Sequence, residues 1–369
     1  MKLVCVIASL GCGGAERVLS ILVNAWVQEQ TVTVLTFDPG DTPPFFTLDS
    51  RVIHNPLALY RTSRWFGEAA VNNFGRIGRL RAELRRQAPD LIVSFGDRTN
   101  VVTLLANRPL GVPVVVSERV DPRRYNPGTV WRLLRRATYP QAAAVVVQTE
   151  RTRVYLAARV AAPVLVIPNP ISEVAGAGAP NPERETRILA IGRLTHQKGF
   201  DVLLEAFARI SDRFPEWRLI IAGEGHCRAD LERLAVRLGV SNRVTFAGLV
   251  DDITSLFQRA AVFASASRFE GFPNALAEAM AHGCAVVATD CPTGPAELID
   301  DGVSGLLVPI DDVEALAAAF ERVFTDSDLR RRLGAAAEQA VAPYRADRIV
   351  QQWNRLLNST AAAHTQRKA

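Results

Sequence analysis

Cysteine is scarce in this 369-residue chain: its five cysteines are odd in number and widely scattered. None belongs to a Cys-x-x-Cys pair, which argues against a zinc site or a disulfide scaffold and favours a reducing cytosol. The chain also lacks an uninterrupted apolar run of ~18 residues, the length that a membrane-spanning helix needs. Its apolar start, Leu3 to Leu10, is too short for a signal peptide and lacks a cleavage pattern, so it predicts a strand.

Lysine is almost missing as well. The 43 basic residues include only three lysines, Lys2, Lys198 and Lys368. Residues 1–180 hold 21 basic and 13 acidic residues, so the net charge of +5 comes from the first half. Such asymmetry predicts an anionic partner for that half, either nucleic acid or an anionic membrane surface. The alternative is a general preference of the organism for arginine.

Short apolar strands alternate with helical segments twice along the chain. This pattern predicts βαβ units and parallel sheets covered on both faces, an α/β fold of two doubly wound domains facing across a cleft. Residues 173–183 are rich in Gly, Ala and Pro and predict a linker. The predicted division is an N-terminal domain over 1–172, a C-terminal domain over 184–342, and a final segment over 343–369 with a helix from Ala346 to Asn358 and a frayed tail.

The predicted strands are short and mostly apolar. In the first half they are Lys2–Ser9, Val32–Phe37, Leu91–Ser94, Val114–Ser117, Ala144–Val147 and Val164–Ile167. In the second half they are Arg187–Ile191, Trp217–Ala222, Val244–Phe246, Val262–Ala264, Ala285–Thr289 and Leu306–Val308.

Two loops between a strand and a helix are candidate phosphate-binding sites. Gly11, Gly13 and Gly14 follow the first strand, although a tight turn there needs glycine in any case. The spacing is neither Gly-x-Gly-x-x-Gly nor a P-loop. The second loop runs from Gly192 to Gly199 and carries Arg193 and Lys198. The forked guanidinium of the arginine and the compact ammonium of the lysine suit a diphosphate. The alternative for this loop is a solvated turn with two cations.

Glu270 and Glu278 lie eight residues apart, one before and one inside a predicted helix with Asn274 as its N-cap. Both carboxylates can accept hydrogen bonds from the hydroxyls of one ligand over the helix N-terminus, beside the amides of Gly271 and Phe272. Glu278 could instead be an ordinary helix acid, but its neighbours are apolar, and an acid among them is expected to be partnered or functional.

These motifs together resemble the retaining glycosyltransferases of GT-B fold in family 4. The resemblance covers almost the whole chain and rests on Gly13–Arg17, Gly192–Gly199, Ala222–Gly225, the Glu-x7-Glu element, Gly294–Glu297 and Gly302–Val308. The Ser117–Arg119 and Asp121–Pro122 stretch further resembles a bacterial branch that builds exopolysaccharide and lipid-linked oligosaccharides from UDP-sugars.

The resemblance implies a donor site on the C-terminal domain and a role for each matching residue. Glu278 would bind the ribose of a UDP-sugar, and the base would lie against Leu249 and Val250. The diphosphate would be bound by Arg193 and Lys198, with Gly13 and Gly14 closing on it. The sugar would be bound by Glu270, Gly271, Phe272 and Asn274. Glu270, Glu118, Arg193 and Lys198 form the predicted catalytic set. Since two cations are available and no Asp-x-Asp element has a suitable context, neither a metal nor another cofactor is expected.

One position departs from the family pattern. Many relatives carry a histidine after the fifth strand, where this chain has Glu118 and Arg119. Glu118 is predicted to orient the acceptor hydroxyl or the donor sugar; the alternative is a structural ion pair with an arginine.

The acceptor is expected on the basic half, as either a lipid-linked or a soluble saccharide. Residues 64–87 predict a basic amphipathic helix, and Arg119, Arg123, Arg124, Arg132, Arg135 and Arg136 a second cluster of charge. A polyprenyl-diphosphate-linked sugar at the inner face of the cytoplasmic membrane fits both segments. An ordinary helix packed on its sheet is the alternative for residues 64–87.

Three other functions are possible. A GT-B phosphorylase would need a lysine for pyridoxal phosphate, and Lys198 is already assigned. A UDP-sugar epimerase would turn over without an acceptor. A non-catalytic anion-binding protein would fit the basic half, although no nucleic-acid recognition motif is present.

Overall fold

The computed structural model describes residues 1–59, 66–120, 122–123, 128–171 and 184–368. The predicted linker over 173–183 lies outside this range, as do Asp121, Arg124 and Tyr125. The chain forms two compact units, each with its own parallel sheet. Unit 1 comprises residues 1–170 and 346–369, and unit 2 comprises residues 171–345.

Unit 1 is built on a seven-stranded parallel sheet with the strand order β3-β2-β1-β4-β5-β6-β7. Its central strands are buried on both faces, which explains their continuous apolar sequences. The strands are β1 (Lys2–Ile7), β2 (Thr31–Thr36), β3 (Ile53–Pro56), β4 (Leu91–Phe95), β5 (Val114–Ser117), β6 (Ala144–Val147) and β7 (Val164–Val166). The helices that follow these strands are α1 (Gly14–Trp26), α2 (Phe66–Gln87), α3 (Asp97–Asn107), α4 (Thr129–Thr138) and α5 (Glu150–Ala157).

Unit 2 repeats the plan with a six-stranded parallel sheet in the order β10-β9-β8-β11-β12-β13. Its strands are β8 (Glu185–Ile191), β9 (Arg218–Ala222), β10 (Val244–Gly248), β11 (Ala260–Ser265), β12 (Ala285–Thr289) and β13 (Leu306–Val308). Its helices are α6 (Phe200–Ser211), α7 (Arg228–Arg237), α8 (Ile253–Arg259), α9 (Asn274–Ala281), α10 (Pro295–Leu298), α11 (Val313–Thr325) and α12 (Ser327–Val341). The predicted α/β class with two doubly wound sheets is confirmed.

The last helix, α13 (Ala346–Lys368), belongs to unit 1. Ile349, Trp353 and Leu357 pack with α1 on one face of the unit 1 sheet. The indole of Trp353 stacks on Phe95 at 6.2 Å and meets Trp26 edge-on at 5.9 Å. The chain thus completes its first core with its last segment.

At the edges of the fold one sequence prediction is wrong and one strand was missed. The predicted frayed tail after Asn358 is helical, since residues 359–368 contain three consecutive alanines and no Gly or Pro that would end the helix. Strand β3 was not predicted, because its sequence IHNP is short and polar and contains a proline. It is an edge strand that pairs only with β2, where proline is tolerated.

Each sheet has one position where the strand order reverses. In unit 1 this switch point lies between β1 and β4, and in unit 2 between β8 and β11. Ligands of open α/β sheets bind outside the carboxyl ends of the strands at such points. A ligand site is therefore expected at the loops after these four strands.

Candidate functional site

The loops after β8 and β11 are joined at the switch point of unit 2. The Nζ atom of Lys198 lies 2.5 Å from Oε1 of Glu270, and the same oxygen accepts a hydrogen bond of 2.7 Å from the Ser267 hydroxyl. Only 6% of the Glu270 side chain and 20% of the Lys198 side chain are exposed. Two predicted site residues 72 positions apart in the chain thus form one partly buried ion pair.

Backbone geometry fixes this arrangement. Gly199 has a φ of +62°, and a Cβ there would collide with the carbonyl oxygen of Ala266. The two loops can approach closely only because position 199 is glycine. The Lys198 stem folds over Gly192, where an added Cβ would lie 3.1 Å from its Cε atom.

Arg268 clamps the two loops together, a role that the sequence did not reveal. Its backbone N–H donates to the Gln197 carbonyl at 2.8 Å, and its guanidinium donates to the His196 carbonyl at 2.6 Å. The guanidinium also pairs with Asp201 and Asp311, each at 2.7 Å. The one available signal was the position of Ser267 and Arg268 directly before the Phe269–Glu270 motif.

The paired glutamates occupy the positions that the spacing predicted. Glu278 is the fifth residue of α9 and only 7% exposed, and Glu270 is 5% exposed. The predicted N-cap is off by one residue, because Pro273 takes that position and Asn274 begins the helix. Since the ring of Pro273 fixes its φ and removes its N–H, the chain enters α9 one residue earlier than the Asx signal suggests.

The remaining predicted donor-site residues lie on neighbouring loops of unit 2. Arg193 is exposed, and its guanidinium makes no hydrogen bond or ion pair with the side chains or carbonyls that the structure describes. Leu249, directly after β10, is 57% exposed, whereas Phe272 is buried against α9. Gly271 is half-buried between Glu270 and Phe272. The loop before α10 packs here too, where the Thr293 hydroxyl donates to the Glu270 carbonyl.

The glycine turn of unit 1 has a competing group at its helix N-terminus. Gly13 caps α1 and Gly14 is its first residue. A Cβ at Gly13, however, would stand within 3.2 Å of both carboxylate oxygens of Glu16. An acidic side chain already lies over this turn, where the positive end of the helix dipole favours it.

Glu118 is fully buried at the carboxyl end of β5. Its Oε2 atom accepts a hydrogen bond of 2.7 Å from the Tyr139 hydroxyl and lies 3.7 Å from Nη1 of Arg135. Asn100 donates in turn to the Tyr139 oxygen at 3.1 Å. Burial raises the pKa of Glu118 to about 7, and Arg135 offsets this in part. The alternative of a structural ion pair therefore describes this carboxylate in the structure.

The predicted arginine cluster is not one surface. Arg135 is buried against Glu118, and Arg119 donates to Asn169 Oδ1 at 2.5 Å, whereas Arg132 and Arg136 are exposed. In α2, Leu80 and Leu84 pack into the core, and Arg76 and Arg81 donate to carbonyls of unit 1. These contacts fit the alternative of a helix packed on its sheet.

Neither a metal cluster nor a spanning helix is found within the described ranges. No group of three or more His, Cys, Asp or Glu side chains is placed there to hold a metal ion. None of the helices described combines the length and apolar character that crossing a bilayer requires.

Comparison with known structures places the fold among GT-B glycosyltransferases. Sucrose-phosphate synthase from Thermosynechococcus elongatus is 21% identical, with a TM-score of 0.80 over 98% of this chain and 100% of its own. Anabaena HepE, solved in complex with UDP and glucose, is 20% identical, with a TM-score of 0.78 over 97% of this chain and 100% of its own.

Sequence comparison gives the family. Residues 12–173 match the model described as Glycosyltransferase Family 4, and residues 177–340 match the one described as Glycosyl transferases group 1. A Campylobacter jejuni enzyme named GalNAc-alpha-(1->4)-GalNAc-alpha-(1->3)-diNAcBac-PP-undecaprenol alpha-1,4-N-acetyl-D-galactosaminyltransferase is 32% identical over 97% of this chain and 98% of its own. The amylovoran biosynthesis glycosyltransferase AmsD of Erwinia amylovora is 27% identical over 94% and 96%. The chain belongs to glycosyltransferase family 4, so the predicted family is confirmed.

Proposed function

We propose that this glycosyltransferase moves a hexose or N-acetylhexosamine from a UDP-sugar to a saccharide acceptor, with retention of configuration and without a metal. The Lys198–Glu270 pair at the switch point of unit 2 carries the proposal, because it joins a cation suited to a diphosphate and a carboxylate suited to sugar hydroxyls. The likeness of the fold to HepE, which was solved in complex with UDP and glucose, supports this choice of donor.

Each residue of the site has a defined role in the proposal. Lys198 uses one of its three ammonium hydrogens on Glu270, which leaves two for the diphosphate. The exposed Arg193 supplies the second cation. Glu278 binds the ribose, Leu249 contacts the base, and Glu270 binds the sugar with Asn274 and the amides of Gly271 and Phe272.

The reaction is a front-side displacement. The acceptor oxygen forms a bond to the anomeric carbon on the face from which the phosphate oxygen leaves, and that oxygen takes the acceptor proton. Negative charge grows on the diphosphate as its bond to the sugar breaks, so fixed cations stabilise the transition state more than the ground state. Glu118, held in a buried contact with Tyr139 and Arg135, is proposed to position the acceptor side of the site through these neighbours.

We propose a polyprenyl-diphosphate-linked saccharide as the acceptor, supported by the name of the Campylobacter jejuni relative. Helix α4 offers a surface for the membrane that would carry it: Val130 and Leu133 are 64% and 62% exposed, beside the exposed Arg132 and Arg136. Exposed apolar and cationic side chains together favour an anionic bilayer surface. The enzyme would then work at the inner face of the cytoplasmic membrane.

A transfer assay tests the donor proposal. UDP-linked hexoses and N-acetylhexosamines are incubated with a short-chain polyprenyl-diphosphate saccharide, with and without a chelator, and the product anomer is assigned by NMR. Replacing Arg193 with glutamine should lower kcat/KM about 10- to 100-fold, whereas Arg209→Gln on α6, an exposed ion pair with Glu314, should not. An inverted product or a strict metal requirement would overturn the proposal, and donor turnover without acceptor would indicate an epimerase.

Flotation with vesicles containing phosphatidylglycerol tests the membrane surface. The double variant Val130→Gln/Leu133→Gln should lose salt-sensitive binding. Val236→Gln, on the similarly exposed Val236 of α7, is the matched control. Equal flotation of the three proteins, or no flotation of the wild type, would exclude this surface as the membrane contact.

A further inference from the structure

Buried polar atoms without a hydrogen-bond partner gather at the carboxyl ends of β4 and β5 in unit 1. Among the residues described, six such atoms belong to the five side chains of Asn100, Ser117, Glu118, Arg119 and Arg135. Native interiors pair nearly all of their buried polar groups, so a concentration of this kind calls for a missing partner. These residues lie beside the switch point between β1 and β4, on the edge where α/β sheets bind ligands.

Arg119 contributes two of the six atoms, both N–H donors. Its Nη1 atom donates to Asn169 Oδ1 at 2.5 Å, and its guanidinium lies over the Phe95 ring with 4.7 Å between the guanidinium carbon and the ring centre. The Nε and Nη2 atoms are buried and contact no acceptor in the described part of the chain. These two atoms form one edge of the guanidinium plane, with two parallel N–H bonds that fit a carboxylate or phosphate.

No protein carboxylate in the described ranges is paired with Arg119. Its chain neighbour Glu118 is bound instead to Tyr139 and Arg135. Because burial is not offset by an anion, the pKa of Arg119 is lowered to about 9, which still leaves the guanidinium charged at neutral pH. Asn169 and Phe95 hold the group in one orientation, so its unpaired edge is fixed before a ligand arrives.

We propose that the Nε/Nη2 edge of Arg119 binds an oxyanion of the acceptor substrate, a phosphate or a carboxylate, in unit 1. This oxyanion site is separate from the diphosphate site proposed on unit 2 and rests on the proposed transferase function. Two sources carry the required chemistry: the diphosphate of a lipid-linked acceptor, and the carboxylate of an acidic saccharide.

Calorimetric titration of the full chain saturated with UDP tests the oxyanion site without interference from the donor site. The probes are inorganic pyrophosphate, farnesyl diphosphate, glucuronic acid and, as a neutral control, glucose. Tighter binding of the two diphosphates indicates the lipid-linked source, and tighter binding of glucuronic acid the acidic saccharide. Absence of binding by all three anions to the wild type overturns the proposal.

Variants assign the binding to Arg119. Arg119→Lys keeps the charge but removes the edge with two parallel N–H bonds. It should therefore lower the affinity for the bound anion about 10- to 100-fold and leave UDP affinity within about twofold of the wild type. Arg108→Gln, at the exposed arginine that follows α3, should match the wild type. Unchanged anion affinity in a folded Arg119→Lys protein also overturns the proposal.

Kinetics separate a binding role from a structural one. With an anionic acceptor, Arg119→Lys should raise KM while kcat changes little; with a neutral saccharide acceptor, KM should not change. A general fall in kcat with both acceptors would instead show that Arg119 only maintains the fold. If the wild type did not bind UDP, the donor proposal would be refuted. The anion titration would then be made on the protein without UDP, with the same outcomes for the oxyanion site.

Discussion

Replacing Lys198 with methionine, which keeps much of the stem and removes the ammonium, should lower both stability and nucleotide affinity. Removing one partner of a buried ion pair leaves an uncompensated charge and typically costs ~3–5 kcal/mol. Lys198 is 20% exposed, and Ser267 still donates to the same Glu270 oxygen. The expected cost is therefore below that range, about 2–3 kcal/mol of the free energy of unfolding.

The double variant Lys198→Met/Glu270→Gln separates the two effects. With both charges removed, no uncompensated charge stays buried, so stability should return to within ~1 kcal/mol of the wild type. UDP affinity should not return, because the cation proposed to hold the diphosphate is still missing. A lost charge-assisted contact of ~1.5–3 kcal/mol corresponds to roughly 10- to 150-fold weaker binding.

Denaturant unfolding and calorimetric titration with UDP measure the two quantities on the same proteins. Arg209→Met, which breaks the exposed pair with Glu314, is the control and should change neither by much. If the double variant bound UDP as tightly as the wild type, Lys198 would serve only to neutralise Glu270. If the single variant unfolded like the wild type, the ion pair would contribute nothing to stability.

Three further perturbations test other parts of the structure. Burial raises the pKa of Glu118 from 4.5 to about 7, so the folded state keeps its proton longer than the unfolded state; stability should fall by up to ~3 kcal/mol as the pH rises between these values. Glu118→Gln should lack this slope in denaturation curves, and parallel pH dependences would contradict the assignment. Gly199→Ala should cost more than ~1–3 kcal/mol, because strain at a φ of +62° adds to a clash with the Ala266 carbonyl; a melting temperature equal to the wild type would refute the close approach. Trp353→Ala should cost about 3–5 kcal/mol in unfolding of unit 1, and a minor loss would show that α13 is dispensable to that core.

Local sequence determined most of the secondary structure. Runs such as Val114–Val116 and Ala285–Thr289 combine β-branched and small residues over the length of one buried strand, and both strands form there. The polar edge strand β3 was not predicted, because its pairing with β2 stabilises a sequence without strand character. The end of α13 was misplaced because a tail of helix-forming residues carries no stop signal.

Part of the candidate site could also be predicted from local sequence. The spacing of Glu270 and Glu278 and the basic loop after β8 pointed to the proposed donor site, because these motifs are contiguous in the chain. Arg268 was not identified, since its partners Asp201 and Asp311 lie 67 and 43 residues away. Tyr139 and Asn100 were missed for the same reason, as nothing local marks them as neighbours of Glu118.

The sequence by itself determined the α/β class, the two repeated halves, the family and the residue types available for a diphosphate and a sugar. Only the tertiary structure decided which charges meet. It paired Lys198 with Glu270, placed Glu118 in a buried contact with Tyr139 and Arg135, and left one edge of Arg119 without a partner among the residues described. The physical reason is that helix and strand periodicity is a local property of the chain, whereas burial and electrostatic pairing depend on the order in which the folded sheet places strands distant in sequence.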